Sequence, residues 1–378
     1  MATREIISTG NQLAAIAAVD AGCKFFGGYP ITPSSEVMHE ISDLLPAVGG
    51  TCIQMEDEIA GICATIGAAM AGDRALTATS GPGVSLKAEQ LGLAQMAEVP
   101  LVLVNVMRGG PSTGLPTRVS QGDVLQSKNP SHGDYKSITF CAGSLAECYT
   151  EVVRAFNVAD RFMQPVIVLL DETIGHMHGK AMLPTLEEVQ AGIVPRKRFD
   201  GPAEEYFPYL CEADEPAVLN PMFEGYRYHF TGLHHDKNGF PTEEIETCRK
   251  LIQRLEDKVA LHEDEVESYE EFMMDDADFM IIAYGSVSLA AKEAIRHLRA
   301  DGIKAGLFRP ITIWPSPAKK IKEYTDKIEK VLVVELNIGQ FHSEVERASS
   351  RLDIDGLFKV NGRPISPYEI VNKVKEIL

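Results

Sequence analysis

A two-part α/β fold, a parallel sheet covered by helices followed by a smaller unit of the same class, is predicted for this 378-residue chain by three observations. Over the first 190 positions, short β-branched runs alternate with stretches of helical periodicity, the pattern of a parallel sheet whose two faces are buried by crossover helices. From 195 to 241 the sequence turns aromatic, proline-bearing and aperiodic. After 277 the alternation resumes for about 100 residues, an ordinary domain size.

Each element follows from local chemistry. Apolar positions at helical spacing place helices over 12–21, 34–45, 57–71, 85–97 and 145–161, between strands near 25–28, 51–55, 75–79, 101–107 and 166–171. Pro33 and the serines after it suit a helix start, and Gly81, Pro82 and Gly83 break the chain before another. A loop as long as 195–241 inside a compact protein is usually functional and docks on a neighbour. A charged helix follows at 243–267, where LIQRLEDKVALHEDEVESYEE has the spacing of an exposed amphipathic face and the acidic run reads as solvated surface. The last unit carries FMIIAYGS, KAGLFRP and KVLVVEL as strands, with helices at 289–298, near 318–324 and at 340–350. The domain reading is therefore 1–190, a linker with a charged helix over 191–276, and 277–378.

Composition narrows the function. Hydrophobic residues at 45% and charged residues at 24% are ordinary for a globular protein, and a chain of this size should bury roughly 75% of its unfolded surface. Against 36 basic residues stand 54 acidic ones, and the resulting −18 repels nucleic-acid backbones and anionic membrane surfaces. The start, MATREIISTGNQLAA, lacks the basic and apolar regions of a leader, and no apolar run approaches a membrane span, so a soluble cytoplasmic protein is expected. Seven scattered cysteines (Cys23, Cys52, Cys63, Cys141, Cys148, Cys211, Cys248) include no CxxC pair and read as reduced core thiols. Any iron–sulfur centre is expected in another chain.

Four polar loops carry the chemistry: YPITPSS (29–35), QMEDEIAG (54–61), TSGPG (79–83) and RGGPSTGLPTR (108–118). All are expected beyond the carboxyl ends of parallel strands, where such sheets bind ligands. Glu56 and Glu58 open a helix whose free amides favour negative charge. That helix then has almost no bulk (Ala60, Gly61, Ala64, Gly67, Ala68, Ala69, Ala71, Gly72), so another backbone can come close and it should be buried at a domain or subunit contact. A carboxylate desolvated there can share a proton with a ligand nitrogen. Arg108 ends a strand before two glycines, and its planar fork matches a carboxylate in two parallel hydrogen bonds. Thr32 lies between two prolines that stiffen its loop. Phosphate-loop, dinucleotide, zinc-protease and nucleophile-elbow patterns are all missing. His132, His234 and His235 fall in loops without metal-ligand spacing and read as surface or capping residues.

These loops resemble the α subunit of the multi-subunit 2-oxoacid:ferredoxin oxidoreductases, with most likeness to the 2-oxoglutarate enzymes of that family. The likeness rests on YPITPSSE, IQMEDEIAGICATIGAAMAG, ATSGPGVSL, RGGPSTGLPTRVSQGDVL, FTGLHHDKNGFPT and VVELNIGQ, in order and over nearly the whole chain. The resemblance implies a thiamine diphosphate enzyme, with residues 1–190 as a pyrimidine-binding domain and 277–378 as a transketolase C-terminal-like domain. It carries the pyrimidine-activating glutamate to Glu58, with Glu56 as the alternative, and the keto-acid contacts to Thr32 and Arg108. Pro30, Ile31, Thr32, Glu58, Ser80, Gly81 and Pro82 would line the cofactor. No GDG pattern for a magnesium-bound diphosphate is present. The family therefore implies a β subunit bringing magnesium, the diphosphate site and an iron–sulfur cluster, a ferredoxin-like δ subunit and a γ subunit. The expected reaction takes 2-oxoglutarate and coenzyme A to succinyl-CoA and carbon dioxide, with electrons passed to ferredoxin. A branched-chain 2-oxoacid or pyruvate enzyme is the alternative, with Lys128, His132 and Arg118 near enough to serve a distal carboxylate. A non-catalytic scaffold would have no need to keep Glu58, Thr32 and Arg108 together.

Overall fold

A computed structural model describes residues 3–378. In the first unit β1 (Thr3–Thr9) leads through α1 (Gly10–Asp20), β2 (Cys23–Gly28), α2 (Ser35–Ala47), β3 (Thr51–Gln54), α3 (Glu58–Met70), β4 (Arg74–Thr79) and α4 (Gly81–Met96) to β5 (Leu101–Gly109). There follow β6 (Leu115–Val119), α5 (Val124–Lys128), β7 (Ile138–Cys141), α6 (Leu145–Phe162), β8 (Pro165–Asp171), α7 (Glu172–His176), β9 (His178–Pro184) and α8 (Leu186–Ala191). The parallel strands run in the order β7-β8-β5-β4-β2-β3. Every residue of the central pair β5 and β8 is buried, as their nearly continuous apolar runs require. The four polar loops thus leave one edge of one sheet. Helix α4 begins four residues before the predicted 85: Pro82, which has no N–H to lose, sits in its first turn, so the break is itself the helix start. The antiparallel β1–β9 ladder and β7 were not predicted.

The aperiodic stretch 195–241 holds one 3-10 turn, Ala203–Glu205, and an isolated bridge between His235 and Pro241. It docks on its own first unit, at the sheet edge opposite the loops. Arg196 donates to the carbonyls of Ala69 (2.8 Å) and Asp73 (2.6 Å), the Met222 amide to Met70 (2.9 Å) and the Tyr209 hydroxyl to Ala97 (3.3 Å).

Helix α9 (Ile245–Ala260) corrects the prediction of one exposed helix over 243–267. Its acidic neighbours Asp264, Glu265 and Glu267 do lie exposed, but Leu251, Arg254, Leu255, Lys258 and Val259 form a buried face. The two cations close on Glu98, itself fully buried, at 2.5 Å (Arg254 Nη2) and 3.1 Å (Lys258 Nζ). Burial pushes the Glu98 carboxyl up, but Arg254 and then Lys258 outweigh it and hold the group down to about 2. Burial lowers the Lys258 ammonium, against the pull of Glu98.

The second unit comprises α10 (Glu263–Val266), β10 (Tyr269–Phe272), β11 (Phe279–Ile282), α11 (Val287–Ala300), β12 (Ala305–Pro310), β13 (Thr312–Trp314), α12 (Ala318–Thr325), β14 (Lys330–Glu335), α13 (His342–Ser349), β15 (Asp355–Phe358) and α14 (Pro367–Ile377). Its sheet has the order β10-β12-β11-β14-β15, parallel except for β10. Strand β13 leaves it and pairs antiparallel with β7 of the first sheet. Trp314 anchors that crossing by donating Nε1–H to the Val124 carbonyl at 2.8 Å. One apolar cluster runs through both units, joining Leu103 and Leu169 to Met280, Val333 and Phe341. No helix among the described residues is long and apolar enough to cross a membrane.

Candidate active site

After β3 the chain turns through Glu56 and Asp57. The Asp57 carboxylate caps α3 by accepting the Ala60 amide at 2.8 Å, which turns the next residue inward. Glu58 is consequently 4% exposed, whereas Glu56 is on the surface. The small residues of α3 do permit a close backbone approach, but it is made within the domain. A Cβ on Gly61 would stand 3.1 Å from Gly28 Cα, and one on Gly27 would stand 2.6 Å from the Gly61 carbonyl oxygen. The outer side of the same helix, Ile59, Cys63, Gly67 and Ala71, is exposed in this chain.

Arg108, at the end of β5, is 6% exposed and donates Nη1–H to the Thr32 carbonyl at 2.5 Å. Among the described residues no carboxylate oxygen lies within 4.0 Å of its nitrogens, and its buried Nε–H has no partner in the chain. Burial lowers the guanidinium's proton affinity, and the charges of Asp123 and then Glu58 raise it. The Thr32 backbone is thereby tied down while its side chain stays exposed. Asn11, fully buried, steadies the same loop by donating to the Pro33 carbonyl at 2.7 Å. Pro30 and Ile31 are half-buried beside it.

Ser80, Gly81 and Pro82 form the entry to α4, with Gly81 facing Asp123 and the next residue, Gly83, directly against Glu58. A Cβ on Gly83 would come within 1.9 Å of Thr79 Oγ1 and 2.8 Å of Glu58 Oε1, so only glycine lets the helix start pass this close. Four buried polar atoms here have no partner in the chain: Thr79 Oγ1, Ser80 Oγ, Asn105 Oδ1 and Arg108 Nε. Thr79 and Asn105 are register partners on adjacent parallel strands and share a face.

Sequence reasoning missed three residues of this cluster. Asn105, 1% exposed, donates Nδ2–H to Asp123 Oδ2 at 3.0 Å. The Asp123 carboxyl, pushed up by burial, faces the first turn of α4, and its charge raises the Arg108 guanidinium more than that of Glu58 does. Lys87 is fully buried behind Glu58. Asp123 lay inside the quoted RVSQGDVL, and the signal for Lys87 was its place on the buried stripe of α4 with Val84, Leu91 and Ala94. The loop carrying Asp123 is clamped by the second unit: Gln121 exchanges two hydrogen bonds with Leu336 (3.0 and 3.1 Å), and Gln340 bonds the Gly122 carbonyl (2.7 Å) and the Leu125 amide (2.9 Å).

Of the cations considered for a distal carboxylate, Lys128 is engaged, pairing with Glu344 at 3.2 Å over the Trp314 ring and lining a separate groove of about 420 Å3. His132 contacts Ser131, and Arg118 stands exposed on β6. His235 is not a surface residue: it is 2% exposed, its ring 4.2 Å from that of Tyr209. No three histidine, cysteine or acidic side chains gather as a metal site among the described residues.

Residues 16–254 match the family model described as pyruvate flavodoxin/ferredoxin oxidoreductase, thiamine diP-bdg, and residues 277–370 match pyruvate:ferredoxin oxidoreductase core domain II. The chain belongs to the 2-oxoacid:ferredoxin oxidoreductase family. This oxidoreductase chain is 42% identical to the 2-oxoglutarate synthase subunit KorA of Methanothermobacter marburgensis, over 98% of its own length and 99% of the relative's. It is 35% identical to the ketoisovalerate oxidoreductase subunit VorB of the same organism, over 100% and 98%. Among solved structures, the 2-oxoglutarate:ferredoxin oxidoreductase of Magnetococcus marinus, with 2-oxoglutarate, coenzyme A and succinyl-CoA bound, superposes with a TM-score of 0.90 at 33% identity. The oxidoreductase chain spans 98% of itself there but 65% of that chain. A split-gene transketolase, at TM-score 0.55 and 13% identity, shares the fold. The oxidoreductase's residues suit the aminopyrimidine end of the family's cofactor, since Glu58 offers a buried carboxylate beside polar atoms that have no partner in the chain.

Proposed function

We propose that this chain is the α subunit of a cytoplasmic 2-oxoglutarate:ferredoxin oxidoreductase, converting 2-oxoglutarate and coenzyme A to succinyl-CoA and carbon dioxide and releasing two electrons to a ferredoxin. The observation that carries the reading is Arg108: a buried guanidinium with no carboxylate partner, on the sheet edge that also holds the buried Glu58. A buried cation left unpaired is costly unless a ligand completes it.

Thiamine diphosphate, when bound, supplies the carbon nucleophile that attacks the keto carbon and accepts the electron pair left as carbon dioxide departs. The chain's own residues do the rest. Glu58 holds a proton at the aminopyrimidine ring, in a site that excludes water. Arg108 grips the 2-oxoacid carboxylate in two parallel hydrogen bonds, aimed by its bond to the Thr32 carbonyl. The Thr32 side chain, exposed on the same loop, donates to the substrate's oxygen end. Gly81 and Pro82 bring the α4 start against the ring. A β subunit supplies the diphosphate site, magnesium and an iron–sulfur cluster, and a ferredoxin-like δ subunit and a γ subunit complete the complex.

Steady-state rates of the co-expressed complex over a panel of 2-oxoacids, with a low-potential acceptor, test the substrate. The largest kcat/KM is expected for 2-oxoglutarate; a larger value for 2-oxoisovalerate would favour the branched-chain reading that the VorB relative supports. Arg108→Lys keeps the charge but loses the fork, and should raise the 2-oxoacid KM about tenfold or more. An unchanged KM would remove Arg108 from the site. Gly83→Ala should displace Glu58 or Thr79 and weaken thiamine diphosphate binding by about tenfold, read by calorimetry on the complex.

A further inference from the structure

Lys87 is buried in the interior of α4, at 0% exposure, on the helix face that packs Val84, Leu91 and Ala94. Its ammonium reaches across to α3, where it donates to the backbone carbonyl of Glu58 at 3.0 Å, and to β4, where it donates to Thr77 Oγ1 at 3.1 Å. No carboxylate oxygen lies within 4.0 Å of it among the described residues, in contrast to Lys258, whose equally buried ammonium has Glu98 at 3.1 Å. The charged and titratable groups around it, Glu58, Asp57 and Cys63, all belong to α3 or its cap, and β4 contributes only the neutral Thr77.

Burying an ammonium against two neutral oxygens is unfavourable, and an apolar chain of the same length would fill the space without the desolvation cost. Here the cation joins three elements at one point, directly behind the carboxylate that the proposed chemistry uses. We propose that Lys87 is a positioning residue for Glu58, holding the first turn of α3 by the Glu58 carbonyl so that the Glu58 side chain keeps its place against the start of α4. The inference rests on the reading of Glu58 given above. Burial pushes the Lys87 ammonium down to about 8, and Glu58 followed by Asp57 draws it partly back, so the group is mainly a cation at neutral pH.

The test uses the reconstituted complex with Lys87→Met, Lys87→Gln and Glu58→Gln beside the parent. Lys87→Met is expected to assemble with an unchanged or higher Tm. Its kcat should fall about tenfold, with the 2-oxoacid KM within about twofold of the parent. Its calorimetric Kd for thiamine diphosphate should rise about fivefold or more. A parent-like kcat with a parent-like Kd for thiamine diphosphate would overturn the proposal, as would an activity loss that tracks a lowered Tm. If Lys87→Met does not assemble, Lys87→Gln, uncharged and one bond too short to reach the Glu58 carbonyl, decides the matter by the same kcat and Kd. Glu58→Gln separates the two ideas: an active Glu58→Gln complex refutes the role of Glu58, while an inactive one beside a normal Lys87→Met refutes the positioning role alone.

Discussion

Glu58→Gln is expected to lower kcat of the assembled complex by about 10²–10⁴-fold, the usual worth of a placed proton-transfer group, with subunit assembly and Tm unchanged. The amide keeps the shape and one acceptor oxygen but cannot exchange a proton with a ring nitrogen. Glu56→Gln is the control, because that side chain lies on the surface before the helix cap and should leave kcat near the parent value. Stopped-flow reduction of a low-potential acceptor reads both. Near-normal turnover in Glu58→Gln would move the activating role elsewhere, and loss in Glu56→Gln alone would move it by two residues.

Glu98→Gln should destabilise the chain by about 3–5 kcal/mol, because Arg254 and Lys258 would be left buried without their counter-charge. The same group sets an acid limit. Its folded value, about 2, lies below its ordinary 4.5, so its contribution is complete above about 4.5 and is lost as pH falls toward 2. Chemical denaturation at pH 7 and at pH 3 should therefore differ less in Glu98→Gln than in the parent. An equal loss of stability on acidification in both chains would show that other carboxylates govern the acid limit.

Much of the first unit was legible because its strands are buried on both faces and its loops are punctuated by proline and glycine. Strands β4, β5 and β8 came out within two residues of their ends, and Glu58, Thr32 and Arg108 all lie on one sheet edge as the spacing suggested. What stayed hidden was non-local. The short strand β13 has no periodicity of its own and exists because β7 offers it an edge. A lysine or arginine in a helix normally reads as surface, so the inward stations of Lys87, Arg254 and Lys258 were visible only as cations standing in apolar stripes. The aperiodic stretch ahead of α9 gave no sign of what it would pack on, since its docking bonds run through backbone carbonyls such as those of Ala69, Asp73 and Ala97.

Strand β13 completes the first sheet with residues whose chain neighbours build the second, and a single apolar interior continues beneath it. The two halves are sewn together along a main-chain seam, so they do not swing open like a clamshell to admit a keto acid.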